Sequence, residues 1–189
     1  VVFDGKIFTV DSLMVLIATT NDGKILWRKD LTPDGESSGE VSGAGLAAGA
    51  GKIFVTTAYG LLHAIDPSSG EEIWSQGLLG SGSTRPTYFD GLVYLVSNDE
   101  SAWAVDAETG RVNWTLDNFS DVNNLISNSA PALSEKFAIF CYGSGEVQAV
   151  FRKSGLAIWS TSISGGRSGR AISIVCLLYT SDAADDSRS

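Results

Sequence analysis

Residues 64–74 read AIDPSSGEEIW, and the same shape returns as AVDAETGRVNW at 104–114 and AVFRKSGLAIW at 149–159. Each copy places a small residue, a turn, a glycine and then a tryptophan in fixed order. The tryptophans Trp27, Trp74, Trp114 and Trp159 are spaced by 47, 40 and 45 residues, and each has a glycine four positions before it (Gly23, Gly70, Gly110 and Gly155). A second phrase recurs upstream: FDGKIF at 3–8, GAGKIF at 49–54, FDGLVY at 89–94 and SEKFAIF at 134–140. Strand-like repeats of this length are the mark of β-propeller blades.

One repeat can be followed strand by strand. RPTYFD (85–90) is a short strand ending at Asp90-Gly91, a strong hairpin signal. LVYLVSND (92–99) reads as an alternating, β-branched strand, SAWAVDAE (101–108) as the third and RVNWTLD (111–117) as the fourth. Loops rich in Gly, Ser and Asn join the repeats at 32–45, 78–85, 118–130 and 164–170, and no capped helical segment stands out. The expected fold is therefore all-β: a propeller of four-stranded blades at about 1–31, 43–77, 83–117 and 129–163, with the start of another at 164–175. Four blades form an open, incomplete ring, and 1–175 is expected to be unstable alone because a ring that does not close leaves two raw ends. Residues 176–186, CLLYTSDAADD, resemble the in-frame translation of a transposase-type sequencing-adaptor end, so 176–189 is read as a non-native, disordered tail.

The recurring phrase has turn chemistry. Asp66 and Ser68 bond to nearby backbone, Pro67 presets its own φ, and Gly70 tolerates a positive one. Ala64 and Ala104 are small enough for close sheet packing. A tryptophan on the outer strand, as at Trp74 and Trp114, can bury about 150–250 Å² against a neighbouring blade. Thus Ala64, Asp66, Gly70 and Trp74, with Ala104, Asp106, Gly110 and Trp114, read as a latch between blades, and Trp27, Gly155 and Trp159 as further parts of it. The first repeat departs from the pattern: Gly5 to Gly23 spans 18 residues against 19 in the next two, and Thr19 stands where the Asp is expected. Drift and a read error both account for that.

Composition narrows the function. The 189 residues carry a net charge of -9, which repels nucleic-acid phosphate. No run of about 18 apolar residues is present to span a membrane as a helix. His63 is the single histidine, and a lone strand histidine points to packing or surface rather than to catalysis. GSGST at 80–84 lacks the Lys and helix of a phosphate loop. Glu71 and Glu72 are neighbours on an expected strand and would point to opposite faces, so they cannot act as an acid–base pair. Cys141 reads as a small buried hydrophobe. No catalytic, metal or cofactor set is assigned.

The phrase Ala-x-Asp-x-x-[Ser/Thr]-Gly-x-x-x-Trp resembles the tryptophan-docking phrase of PQQ-type propeller repeats. Ala64, Asp66, Ser69, Gly70 and Trp74 match it, as do Ala104, Asp106, Thr109, Gly110 and Trp114; in the third copy Phe151 replaces the Asp. Within that superfamily, the regular spacing and the stretch NSAPALSEKFAIFCYGSGEVQAVFRKSGLAIW (128–159) are similar to the BamB family. That resemblance implies eight blades in the whole protein, a non-enzymatic scaffold of the outer-membrane β-barrel assembly machinery, and a periplasmic place held at the membrane by a lipid anchor. It implies binding to a POTRA domain of BamA through loops, carried over to Asn123, Asn124, Leu125 and Ile126, with Arg167 and Arg170 flanking. Ile126 stands where the family has an Arg. The alternatives are a quinoprotein dehydrogenase, for which this chain lacks the vicinal Cys pair and a carboxylate–amide cation site, and another periplasmic scaffold of PQQ repeats.

Overall fold

Each repeat folds into its own antiparallel sheet of four strands taken in chain order. The computed structural model describes residues 1–36, 44–78, 80, 84–117 and 129–162. The first blade holds β1 (Val2–Phe3), β2 (Lys6–Val10), β3 (Val15–Thr20) and β4 (Ile25–Asp30). The second holds β5 (Gly45–Gly49), β6 (Lys52–Thr56), β7 (Leu61–Ile65) and β8 (Glu72–Gly77). The third holds β9 (Thr87–Phe89), β10 (Leu92–Val96), β11 (Ala102–Asp106) and β12 (Val112–Leu116), and the fourth β13 (Ala132–Leu133), β14 (Phe137–Cys141), β15 (Glu146–Phe151) and β16 (Ala157–Ser162). Among the described residues the fold is thus all-β, with four propeller blades.

Turn chemistry explains the hairpins. The β1–β2, β5–β6 and β9–β10 turns place two successive residues at positive φ: Asp4 and Gly5, Ala50 and Gly51, Asp90 and Gly91. That is the twist-matched two-residue turn that Asp-Gly favours. The next turn in each blade repeats one arrangement, with Met14, Gly60, Glu100 and Gly145 at positive φ and bonded back to the residue three earlier. The second blade also has glycines on its innermost strand. A Cβ on Gly49 would lie 2.0 Å from the Tyr88 ring, and one on Gly45 2.4 Å from the Thr84 carbonyl oxygen. Gly45 lets β5 meet the backbone leading into β9 where the blades converge, and Gly49 leaves room for the Tyr88 ring.

The blades stack face to face, so their core lies between sheets. Phe8, Leu16 and Ala18 of the first blade meet Ile53, Val55 and Ile65 of the second. Phe54, Leu62 and Ala64 turn the other way, to Val93, Leu95 and Trp103 of the third. Tyr94, Ala102 and Ala104 meet Ala138, Phe140 and Val150 of the fourth. This corrects the reading of LVYLVSND as an alternating strand: Val93, Tyr94, Leu95 and Val96 are all fully buried, because an inner blade has a neighbour on both faces. A sheet covered on both sides has no solvent face to demand polar residues.

Ala50 is the one non-acidic residue at the first position of those two-residue turns and is exposed. A side chain that tolerates the left-handed region should fit better. Ala50→Asn is expected to raise stability by about 0.5–1 kcal/mol, read as a higher urea midpoint at unchanged slope. A fall in the midpoint would contradict this account of the turn.

Candidate functional site

The recurring phrase spans the junctions. In the β3–β4, β7–β8, β11–β12 and β15–β16 pairs the register slips at the phrase's alanine: Ala18/Thr19, Ala64/Ile65, Ala104/Val105 and Ala149/Val150. Each slip is a β-bulge on the outer strand, one residue before the tryptophan. A bulge bends its strand and re-aims the next side chain. Here it aims the indole at the following blade.

The landing place is the next blade's glycine. A Cβ on Gly70 would sit 2.8 Å from Trp27, one on Gly110 2.7 Å from Trp74, and one on Gly155 2.8 Å from Trp114. These glycines also hold φ of +77, +71 and +71, so both backbone and space require them. Each indole Nε1 then donates to a carbonyl of the same turn: Trp27 to Pro67 at 3.3 Å, Trp74 to Ala107 at 3.2 Å and Trp114 to Arg152 at 3.0 Å. Within its own blade each indole leans on an aromatic ring, Phe8, Phe54 or Tyr94, at centroid distances of 5.8, 5.9 and 6.0 Å. Such a pair adds about 0.5–1.5 kcal/mol beyond its buried area. Trp159 is 47% exposed, and a Cβ on Gly23 would meet nothing within 4 Å.

The aspartates brace the seats. Asp66 Oδ1 accepts the Ser68 amide at 2.7 Å, the Ser69 amide at 3.0 Å and the Ser68 hydroxyl. Asp106 Oδ1 accepts the Glu108 and Thr109 amides at 3.1 and 2.8 Å and the Thr109 hydroxyl at 2.8 Å. The Ser68 and Ser69 bonds hold the Asp66 carboxyl down at about 2, below its ordinary 3.8. Phe151 has no such oxygen, yet the fourth turn keeps its path: the Gly155 amide donates to the Phe151 carbonyl at 2.8 Å, as Gly70 does to Asp66 at 2.9 Å. In the first blade the turn is a residue shorter. Thr19 stays in β3, and Thr20 braces the turn by taking the Lys24 amide on its hydroxyl at 3.1 Å.

Sequence reasoning missed a second set of ties across the same junctions. Lys52 meets Glu108 of the third blade at 2.8 Å. Arg152, 2% exposed, reaches back to the third blade: its Nη2 donates to Asp90 at 2.8 Å, and its guanidinium lies 4.6 Å from the centre of the Phe89 ring. The Arg152 hydrogen bond and charge hold the Asp90 carboxyl below its ordinary value. A lone Arg beside a lost Asp was the available signal.

The remaining candidates fall into place one by one. Glu71 lies in the turn rather than on a strand, and Glu72 opens β8 and reaches His63 at 2.8 Å. Cys141 is buried, and burial pushes its thiol up. Along the inner strands a groove is lined by Ala47, Ala48, Pro86 and Tyr88, with Arg85 as a charged side chain. Among the described residues no three His, Cys, Asp or Glu side chains are grouped to hold a metal. Asn123, Asn124, Leu125, Ile126, Arg167 and Arg170 lie outside the described residues. The segment after the first of these loops is anchored, since the Pro131 carbonyl accepts the Thr87 hydroxyl of the third blade at 3.2 Å.

Comparison with known proteins bears on the whole chain. The family model described as outer membrane protein assembly factor BamB matches residues 13–182. The assembly factor BamB of Yersinia pestis is 27% identical over 165 residues, covering 84% of this chain and 42% of that protein. Quinohemoprotein alcohol dehydrogenase ADH-IIG of Pseudomonas putida is 28% identical over 132 residues, covering 60% of this chain and 18% of the enzyme. The crystal structure of BamB from Moraxella catarrhalis superposes with a TM-score of 0.72 at 15% identity, over 85% of this chain and 47% of that one. The chain spans less than half the length of these curated relatives.

Two outcomes test the latch. Gly110→Ala places a methyl into the Trp74 ring at a backbone angle that alanine resists, and should cost about 2–4 kcal/mol. A loss under about 0.5 kcal/mol in urea unfolding would deny the seat its role. The Asp66 bonds exist only while its carboxyl is ionised. Their contribution is full above the unfolded value of 3.8 and is lost as pH falls through about 2. The stability gap between the parent and Asp66→Ala should therefore stay constant down to pH ~4 and close below it.

Proposed function

The chain belongs to the family of outer membrane protein assembly factor BamB, and from that membership we propose that it acts by binding rather than by catalysis, as a rigid scaffold in outer-membrane protein assembly. The observation that carries this reading is the use made of the repeat's conspicuous residues. The indoles, the glycines and the braced aspartates are consumed in holding blade to blade. A frame built this way keeps loops at constant positions, which lowers the ordering cost of binding a partner.

The partner in this proposal is the POTRA region of BamA, on the periplasmic side of the outer membrane. Leu125, flanked by Asn123, Asn124 and Ile126, supplies an apolar contact, and Arg167 and Arg170 flank it with charge. Its test is a pull-down of the full-length protein against the purified POTRA region. Retention is expected for the parent and at least a tenfold loss for Leu125→Asp, equivalent to about 1.4 kcal/mol. No retention of the parent, or equal retention of the variant, would sink the assignment.

A second reading has one specific observation behind it, the match to the alcohol dehydrogenase ADH-IIG. It makes the ring centre a quinone site. Dye reduction by an alcohol after titration of the full-length protein with the quinone PQQ and Ca²⁺ would favour it over the scaffold.

A further inference from the structure

The second blade carries the single histidine on β7. Successive strand residues face opposite ways. Leu62 and Ala64 belong to the core shared with the third blade, so His63 faces the first, on the side where Val55 and Ile65 pack against Phe8, Leu16 and Ala18. The imidazole is 5% exposed. Its Nδ1 lies 2.8 Å from Glu72 Oε2. An ionised carboxylate only accepts, so Nδ1 carries the proton of the neutral ring and Nε2 presents its lone pair. Nε2 is buried without a hydrogen-bond partner among the described residues.

The charges around this ring come from both blades. On β8, Glu72 favours a proton on it; on β4 of the first blade, Lys29 opposes one. Lys52 on β6 is engaged by Glu108 on the side of the third blade, and Lys6 on β2 by the Pro67 carbonyl at 3.4 Å. β3 carries no titratable side chain. Burial, the largest influence, pushes the imidazole below its ordinary 6.5, with Glu72 working against that and Lys29 with it. A second proton would create a buried Nε2–H with no acceptor among the described residues and a buried charge that Glu72 offsets only from the Nδ1 side. The matching positions in the third and fourth blades are Trp103 and Gln148, neither of which titrates.

We propose that His63 is an acid-sensitive catch between the first and second blades: a proton on its buried Nε2 unseats that junction and leaves the two later junctions closed. The sign follows from linkage. The opened junction binds the proton more readily than the closed one. Closure is at full strength above pH ~6.5 and weakens as pH falls below it, by at most about tenfold per pH unit for one proton.

Each junction has its own reporter, the indole N–H of Trp27, Trp74 or Trp114, bonded across to the next blade. Hydrogen exchange of these three groups in the full-length protein, corrected for the intrinsic pH dependence of exchange, reads the junctions separately. Between pH 7.5 and 5.5 protection of Trp27 is expected to fall by up to about tenfold while Trp74 and Trp114 hold. His63→Gln should flatten the Trp27 profile. A Trp27 profile without pH dependence, a parallel fall at all three indoles, or an acid response that survives in His63→Gln would each overturn the proposal. The comparison of three indoles within the unmutated full-length protein stands without any variant.

Discussion

A tryptophan laid on the bare backbone of the next blade's glycine is the contact on which the rest of this structure depends. A propeller blade is a small sheet with two apolar faces and cannot bury either alone. The indole supplies a large apolar surface and one donor, and both are satisfied by a single turn on the neighbour. The glycine answers two demands at once: a left-handed backbone and the absence of a Cβ. The bulge beside the tryptophan gives the outer strand its change of direction. Take away any one of these and the other two lose their purpose.

The contact tolerates variation around it. Phe151 in place of aspartate leaves the fourth turn intact, because the amide-to-carbonyl bond that closes the turn is main chain. Arg152, one residue on, ties that turn to Asp90 and to the Glu135 carbonyl. The first blade shortens the same turn and braces it from Thr20. Side-chain bracing is therefore exchangeable, and the indole, the glycine and the closing main-chain bond are the constant parts. Such a division lets blades dock alike while the loops between them differ.

Much of this was legible in the chain itself. The interval between tryptophans set the blade, and Asp90-Gly91 and Asp4-Gly5 marked hairpins at which both residues do take positive φ. The alanine of the phrase pointed to close packing, and Ala64 and Ala104 are fully buried. The bulge was hidden because one extra residue leaves no compositional trace. Lys52–Glu108 and Arg152–Asp90 were hidden for another reason: their partners stand 56 and 62 residues apart, and only the stacking of blades brings them together. Phe137 and Phe151 pair at 5.8 Å within the fourth blade because the β14–β15 register sets them directly opposite each other.

What the sequence determined alone was local and periodic: strand after strand, turn after turn, a glycine four residues before Trp27, Trp74, Trp114 and Trp159. Period and turn chemistry are properties of neighbours along the chain. What only the tertiary structure decided was direction. It decided that Trp27, Trp74 and Trp114 land on the following repeat's glycine and not on their own, that inner blades are covered on both faces, and that His63 faces the first blade beside Lys29. Those outcomes depend on how one twisted sheet lies on the next, and no pattern within a single repeat contains that angle.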